Sequence, residues 1–119
     1  MNHPIHADYS LETLVVKAPA KNTTADILET IDRLEEFVNE TKFDKVLLDL
    51  TDVTSIPPLV EMFEITLKIP RRLWVAGLIE GNERLEADFE FAETVAKNRG
   101  MSLRIFRSRK DAVEWLQSF

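Results

Sequence analysis

The feature that most constrains the fold of this chain is a regular alternation of short apolar segments with amphipathic ones. Four apolar segments have the length of β-strands: residues 11–17, 45–50, 73–79 and 102–106. After each of them, apolar residues recur every three or four positions, which is typical of one face of an α-helix. Because parallel strands are joined through crossover helices, this order predicts an α/β sheet with helices packed against it.

Short polar signals mark the ends of the predicted helices. Thr23 and Ser108 each have an aspartate three positions later, the spacing of a capping box at a helix start. Pro58 suits a first helical position, and Gly100 suits a left-handed C-terminal cap. We therefore expect helices at the following residues: 23–41, 58–69, 84–98 and from 108 onward.

The length of 119 residues suits one domain with one core, so we expect residues 1–119 to form a single domain. Residues 1–9 are interpreted either as a flexible end or as the outer strand of a hairpin. His3 and His6 lie in this segment. The chain has no cysteine and no further histidine, so these two side chains do not complete a nitrogen or sulfur metal site.

Composition argues against several classes of protein. A net charge of −6 does not suit a nucleic-acid-binding surface. The first residues lack the apolar run of a signal peptide, and no apolar stretch approaches the roughly 20 residues of a membrane helix. The chain contains neither a glycine-rich phosphate loop nor a Gly-x-Ser-x-Gly elbow. We expect a cytoplasmic protein with no membrane segment, nucleic-acid partner, metal or cofactor.

Three segments together resemble a known family. They are the strand and loop at 46–56 (VLLDLTDVTSI), the strand 73–78 with the helix that carries Phe91 and Ala92, and the strand and helix at 103–116 (LRIFRSRKDAVEWL). They resemble the STAS superfamily and, more narrowly, the small SpoIIAA-like bacterial proteins of unknown function. The resemblance implies a mixed sheet of four or five strands with about four helices packed mainly on one face. The other face would then be partly open or covered by a second chain.

Regulatory members of that superfamily are switched by phosphorylation of a serine in an Asp-Ser-Ser-Gly motif after the central strand. In this sequence the motif falls on residues 57–60, which read Pro-Pro-Leu-Val and contain no hydroxyl group. Thr54 and Ser55 lie just upstream, and Ser55 is interpreted as a loop or helix-start residue. We therefore expect that this protein is not a kinase-regulated antagonist of the sigma pathway.

Polar side chains collect where two predicted strands end, and ligands favour such ends in open α/β sheets. The candidates at this strand-end site are Asp49, Asp52, Thr54, Ser55, Glu80 and Asn82. The carboxylates could act as general acid and base or bind Mg²⁺. Alternatively, Asp52 forms a turn and Glu80 is solvated. Asp49 stands inside an apolar strand and needs a partner or an exposed edge.

A basic cluster surrounds the start of the last helix: Arg107, Ser108, Arg109 and Lys110. Exposed amides and the positive end of the helix dipole attract anions at such a position. The cluster therefore predicts docking of an anionic ligand, a lipid headgroup or an acidic protein surface. The alternative is that these charges are solvated or paired with acids of neighbouring helices.

The predicted second helix is apolar over more than one stripe. Its candidate interface residues are Leu59, Met62, Phe63 and Leu67. Most of this surface belongs to the core, but a part of it could be exposed for self-association or for an apolar ligand. We therefore expect a protein partner, and in the first place a homodimer through this helix or through the open sheet face.

Together these features predict a non-enzymatic protein-interaction or regulatory module of the STAS-like type, with no catalytic residues. The alternative is a carrier or sensor of a small apolar, lipid-like or anionic ligand in a cleft between the helices and the sheet. A third possibility is an acid-dependent enzyme that relies on Asp49, Asp52 and Glu80.

Overall fold

A computed structural model describes residues 3–119 and contains five strands and four α-helices. In chain order the elements are β1 (Ile5–Asp8), β2 (Thr13–Lys17), α1 (Thr24–Thr41), β3 (Lys45–Asp49), α2 (Leu59–Thr66), β4 (Trp74–Leu78), a short 3-10 turn (Glu83–Leu85), α3 (Glu86–Asn98), β5 (Ser102–Phe106) and α4 (Arg109–Gln117). No helix within residues 3–119 is long and apolar enough to cross a membrane.

The five strands form one mixed sheet in the order β1-β2-β3-β4-β5. β1 pairs with β2 in antiparallel fashion, and the other three pairings are parallel. The structure therefore confirms the predicted α/β fold with a mixed sheet. Within the predicted segment 1–9, Ile5–Asp8 forms the outer hairpin strand, and the first two residues lie outside the described part of the chain.

Local capping holds the helix ends where the sequence placed them. The Thr23 hydroxyl accepts a hydrogen bond from the Asp26 amide at 3.1 Å, and the Ser108 hydroxyl accepts one from the Asp111 amide at 3.3 Å. Gly100 has a φ of +73°, the left-handed backbone that ends α3.

The second helix is shorter than the predicted 58–69. Its α-helical part ends at Thr66. After it, the amides of Lys68 and Ile69 bond to carbonyls only three residues earlier. Tightening of the last turn in this way is common where a helix ends.

The two faces of the sheet are covered unequally. On the first face, the strand residues Leu14, Val46 and Val75 pack with Leu34 and Val38 of α1. Residues of α2 and α3 join this face, including Ile65 and Phe89. Three of the four helices thus lie on the first face, as the resemblance implied.

The second face is covered by α4 and the end of the chain. Ala112 and Leu116 of α4 pack on Leu47, Ala76 and Leu78. Beside them, the Phe119 ring stacks on Trp74 with centroids 3.8 Å apart, and Trp115 meets both rings edge-on. Over β3 and β4, this face therefore needs no second chain to cover it, because α4 and Phe119 of the same chain already do so.

Candidate functional site

A cavity of about 140 Å³ lies between the first face of the sheet and the helices α1, α2 and α3. Its floor is built from alternate residues of the parallel strands, including Val16, Leu48 and Ile105. These residues share a face because the side chains of a strand alternate in direction. The floor is therefore apolar from β2 across to β5.

The roof of the cavity comes from three helices. Ile31 of α1, Ile65 of α2 and Phe89 of α3 line it. The helix α2 is tied to its neighbours on both sides. The Thr24 hydroxyl, at the start of α1, lies 2.6 Å from the Glu61 carboxylate of α2. The guanidinium of Arg99, after α3, lies 4.6 Å from the centre of the Phe63 ring of α2. These ties hold the short helix as a bridge above the cavity.

Polar groups are scarce in the lining. Thr30 and Thr66 are buried there, but each hydroxyl donates to the carbonyl one turn earlier in its own helix, at 2.9 and 2.8 Å. These hydroxyls are therefore satisfied without a ligand. The remaining polar contributions come from His3 and Asn22, which lie at one end of the cavity.

His3 is anchored rather than free. The residue is only 4% exposed, and its Nε2 atom lies 2.7 Å from Oδ1 of Asn22. The carbonyl of His3 accepts a hydrogen bond from the Arg33 guanidinium at 3.1 Å. Of the two alternatives for residues 1–9, a flexible end does not describe His3.

Burial lowers the pKa of the His3 imidazole below its ordinary value of 6.5. The hydrogen bond to Asn22 and the nearby Asp26 and Glu29 act in the opposite direction, whereas the charge of Arg33 adds to the lowering. Burial dominates, so the ring is neutral near pH 7. Within the part of the chain that is described, Nδ1 of this ring is buried and has no hydrogen-bond partner.

The two histidines do not form a metal site with other side chains. His6 is exposed on β1, and no group of three or more histidine or carboxylate side chains within residues 3–119 is arranged to hold a metal ion. His3 instead belongs to the cavity wall.

The strand-end acids are partnered by a lysine of the neighbouring strand. Lys17 is in register with Asp49, and its Nζ atom lies 3.2 Å from carboxylate oxygens of both Asp49 and Asp52. The Asp49 carboxylate also accepts hydrogen bonds from the amide and hydroxyl of Thr51 at 3.0 and 2.6 Å. Burial alone would raise the pKa of Asp49, but these bonds from Thr51 and Lys17 outweigh it and lower that pKa.

The other strand-end candidates hold loops together. The Asn82 side chain is buried, and its amide donates to the carbonyls of Leu50 and Val53 at 2.9 and 2.8 Å. The backbone amides of Thr54 and Ser55 both donate to the carbonyl of Ala20. This arrangement gives these residues a structural role.

Glu80 lies in the turn after β4 and is exposed. The two carboxylates that the structure brings together, Asp49 and Asp52, share Lys17. Glu80 is not among the contacts of that lysine. Among residues 3–119, the three acids of the enzyme hypothesis are not arranged to hold a metal ion together.

The basic cluster is partly engaged. The guanidinium of Arg107 forms an ion pair with the Glu86 carboxylate at the start of α3. The Ser108 hydroxyl caps α4 and is thereby occupied. Arg109 and Lys110 are exposed in the first turn of that helix. The structure thus brings the four residues to one helix start but leaves two of them accessible to an anion.

The predicted apolar interface is split by the structure. Leu59 and Leu67 are 44% and 43% exposed, whereas Met62 and Phe63 are half-buried. Met62 lines the cavity. The most exposed apolar residue of α2 is Val60, at 73%. One helix therefore contributes both to the cavity roof and to an apolar outer surface.

Comparisons with known proteins bear on the fold. No protein-family model and no curated protein sequence matches this chain. The structure is similar to the NMR structure of the protein TM1081, with a TM-score of 0.69 and 15% sequence identity over 98% of this chain and 89% of that one. At this identity the likeness supports the α/β fold alone.

Sequence reasoning missed two residues of the cavity wall, His3 and Asn22. Asn22 reads as a strand breaker, and His3 reads as part of a polar end. Their pairing joins positions 19 residues apart. A periodicity argument does not detect it, because neither residue belongs to a helix or strand.

Proposed function

We propose that this protein binds a small, mainly apolar molecule in the cavity between the sheet and the helices α1 to α3, as a carrier or sensor. The observation that carries the proposal is the cavity itself, about 140 Å³ in volume and lined almost wholly by apolar side chains. Protein interiors are normally packed as densely as organic crystals, and voids larger than a water molecule are few. A space of this size in a small domain therefore favours an occupant.

The volume of the cavity also limits the size of the molecule that can bind in it. Engineered apolar cavities of about 150 Å³ stay dry and bind benzene, whereas sites for drug-sized molecules are about 300–1,000 Å³. By the dependence of stability on cavity volume, an empty space of this size costs about 3 kcal/mol. A molecule with one ring or a short branched chain would recover part of that free energy by restoring contacts.

Titration with toluene tests the proposal directly. We expect toluene to raise the melting temperature and to shift the NMR signals of methyl groups that line the cavity, such as those of Val16 and Ile105. The variant Ala92→Leu fills space in the lining and should bind toluene at least tenfold more weakly than the wild type. Val16→Ile adds one methyl group on the cavity floor and should show a smaller loss.

The matched control is Ala87→Leu, because Ala87 lies on the same helix as Ala92 and is exposed. This variant should bind toluene as the wild type does. If toluene shifts signals only at surface residues, or if Ala92→Leu and Ala87→Leu bind it equally, the cavity is not a binding site.

The ion pairs and hydrogen bonds of the strand-end carboxylates favour a binding function over a catalytic one. Asp49 and Asp52 share the ammonium group of Lys17, and Asp49 is further satisfied by Thr51. Asp49, whose pKa these bonds lower, is a poor candidate for proton transfer, which works best at a pKa near the working pH. A cytoplasmic location remains part of the proposal and rests on the lack of cysteine, which fits a reducing compartment.

A second candidate function is protein interaction, in the first place as a homodimer, by a module of the STAS type. Two features support it: the mixed sheet has the architecture that the resemblance implies, and Leu59 and Phe91 line one groove between α2 and α3 while remaining 44% and 47% exposed. Exposed apolar surface of this kind often marks an interface.

Light scattering at micromolar concentration tests the homodimer. We expect the wild type to be dimeric and Val60→Glu on α2 to be monomeric. Leu28→Glu is the control, since Leu28 is an exposed apolar residue of α1. A monomeric wild type at that concentration would refute self-association while leaving the cavity proposal untouched.

A further inference from the structure

At the polar end of the cavity, the hydrogen bonding of one side chain is incomplete within the described residues. His3 lines the cavity, and among residues 3–119 its Nδ1 atom is the buried side-chain nitrogen or oxygen without a hydrogen-bond partner. Buried polar atoms in proteins are nearly always paired, so each exception needs an explanation. Here the explanation can be read from the neighbours of the ring.

The orientation of the Asn22 side chain is fixed by its own bonds. Its Nδ2 atom donates to the carbonyl of Pro19 at 2.9 Å and to the carbonyl of Ser55 at 3.3 Å. Both carbonyls are acceptors only, so the NH₂ group must face them, and Oδ1 must face His3. Asn22 therefore presents an acceptor to the imidazole.

This orientation decides where the imidazole carries its proton. Oδ1 of Asn22 lies 2.7 Å from Nε2 of His3, and an acceptor at that distance requires an N–H on Nε2. In a neutral ring only one nitrogen is protonated, and burial keeps this ring neutral. Nδ1 is consequently a bare, buried acceptor on a side chain that lines the cavity.

Building on the proposed function, we infer that the natural occupant is a neutral molecule with an apolar body and one hydrogen-bond donor, which it directs to Nδ1 of His3. The class includes phenols, small alcohols and indole-like N–H compounds. A carboxylate is not included, because it has no proton to offer and would meet the lone pair of Nδ1. The anionic ligand considered from the sequence is thereby excluded from this site.

Phenol and toluene form a matched pair of probes, since they differ only in a hydroxyl against a methyl group. In the wild type, phenol should gain from the bond to His3. In His3→Phe, the ring shape is kept but the acceptor is lost. The ratio of the phenol to the toluene dissociation constant should therefore rise by about three- to tenfold in the variant. Benzoate should not bind in the cavity of either protein.

A second measurement uses only the wild-type protein. In ¹⁵N NMR of the imidazole rings, His3 should show a protonated Nε2 and an unprotonated Nδ1. Addition of phenol should then shift the Nδ1 signal in the direction expected when this nitrogen accepts a hydrogen bond. His6 is exposed and serves as the internal reference, because its signals should not respond.

The outcomes separate the two proposals. The ratio of the phenol to the toluene dissociation constant could be the same in the wild type and in His3→Phe, or Nδ1 of His3 could carry the proton. Either result would show that the occupant does not donate a hydrogen bond to Nδ1, while the cavity still binds ligands. If neither probe binds, the proposed function fails and this inference fails with it.

Discussion

The imidazole Nε2 of His3 lies 2.7 Å from the Oδ1 atom of Asn22, and both side chains are buried. This bond joins the segment before the outer strand β1 to the loop that precedes α1. It closes the polar end of an otherwise apolar cavity. The neutral state of His3 is therefore linked to the stability of the fold.

We expect stability to fall below pH 6.5 because of His3. The folded-state pKa of this residue lies below its ordinary value of 6.5, so the unfolded chain binds the proton more readily. The contribution is complete above pH 6.5 and decreases as the pH falls towards the folded-state pKa. In urea unfolding experiments, the free energy of unfolding should fall more between pH 7.5 and pH 5.5 for the wild type than for His3→Phe.

His6→Phe is the control for this comparison, since His6 is exposed. Its free energy of unfolding should follow the wild-type pH dependence. Equal pH dependence in the wild type and in His3→Phe would show that the imidazole is not held neutral by the fold.

Asn82→Ala should be strongly destabilising. The side-chain amide of Asn82 satisfies the carbonyls of Leu50 and Val53, and its removal leaves both without this donor. We expect the free energy of unfolding in urea to fall by about 1–3 kcal/mol. Asn39→Ala, at an exposed position of α1, should change it by less than about 0.5 kcal/mol. Similar losses in the two variants would contradict the bridging role of Asn82.

Asp49→Asn should lower stability by about 1 kcal/mol at pH 7, because it weakens the bonds to Lys17 and Thr51 at a partly exposed site. The pKa of Asp49 is lowered on folding, so its contribution is present above its ordinary value of 3.8 and is lost as the pH falls through the folded value. The difference between wild type and variant should therefore shrink below pH 3.8. A difference that stays constant with pH would refute the assignment, and Asp32→Asn at an exposed position is the control.

Glu93→Ala should loosen the edge strand β5. The Glu93 carboxylate accepts a hydrogen bond from the Ile105 amide at 2.5 Å, on a strand that has a neighbour on one side only. Amide hydrogen exchange at Ile105 should become at least tenfold faster in this variant. Glu90→Ala on the exposed side of α3 should leave that rate unchanged. Unchanged exchange in Glu93→Ala would show that the edge is protected by other contacts.

The elements that were predicted well depend on neighbours in the sequence. The last strand has the predicted bounds, Ser102–Phe106. The caps at Thr23 and Ser108 form as expected, because a capping bond spans only three residues. The second helix was predicted too long, since the tightening after Thr66 is not marked by a breaking residue before Pro70.

The site was predicted less well because its contacts are distant in sequence. A partner for Asp49 was expected, but its identity as Lys17 follows from the register of β2 and β3, which brings together residues 32 positions apart. The ion pair of Arg107 with Glu86 likewise joins the loop before α4 to the start of α3, 21 positions earlier in the chain. A cleft between the helices and the sheet was one alternative, and the structure supplies the cavity that this alternative needs.

From residue 11 onward, the sequence by itself determined the order of strands and helices along the chain, as well as the caps and the α/β class, because periodicity and capping are local properties of the chain. Only the tertiary structure decided that a space remains under α2 and that His3 and Asn22 form its polar end. The physical reason is that a cavity is a shortfall in packing among side chains from seven strands and helices. The volume of the cavity and the unsatisfied Nδ1 of His3 exist only once those elements are placed against one another.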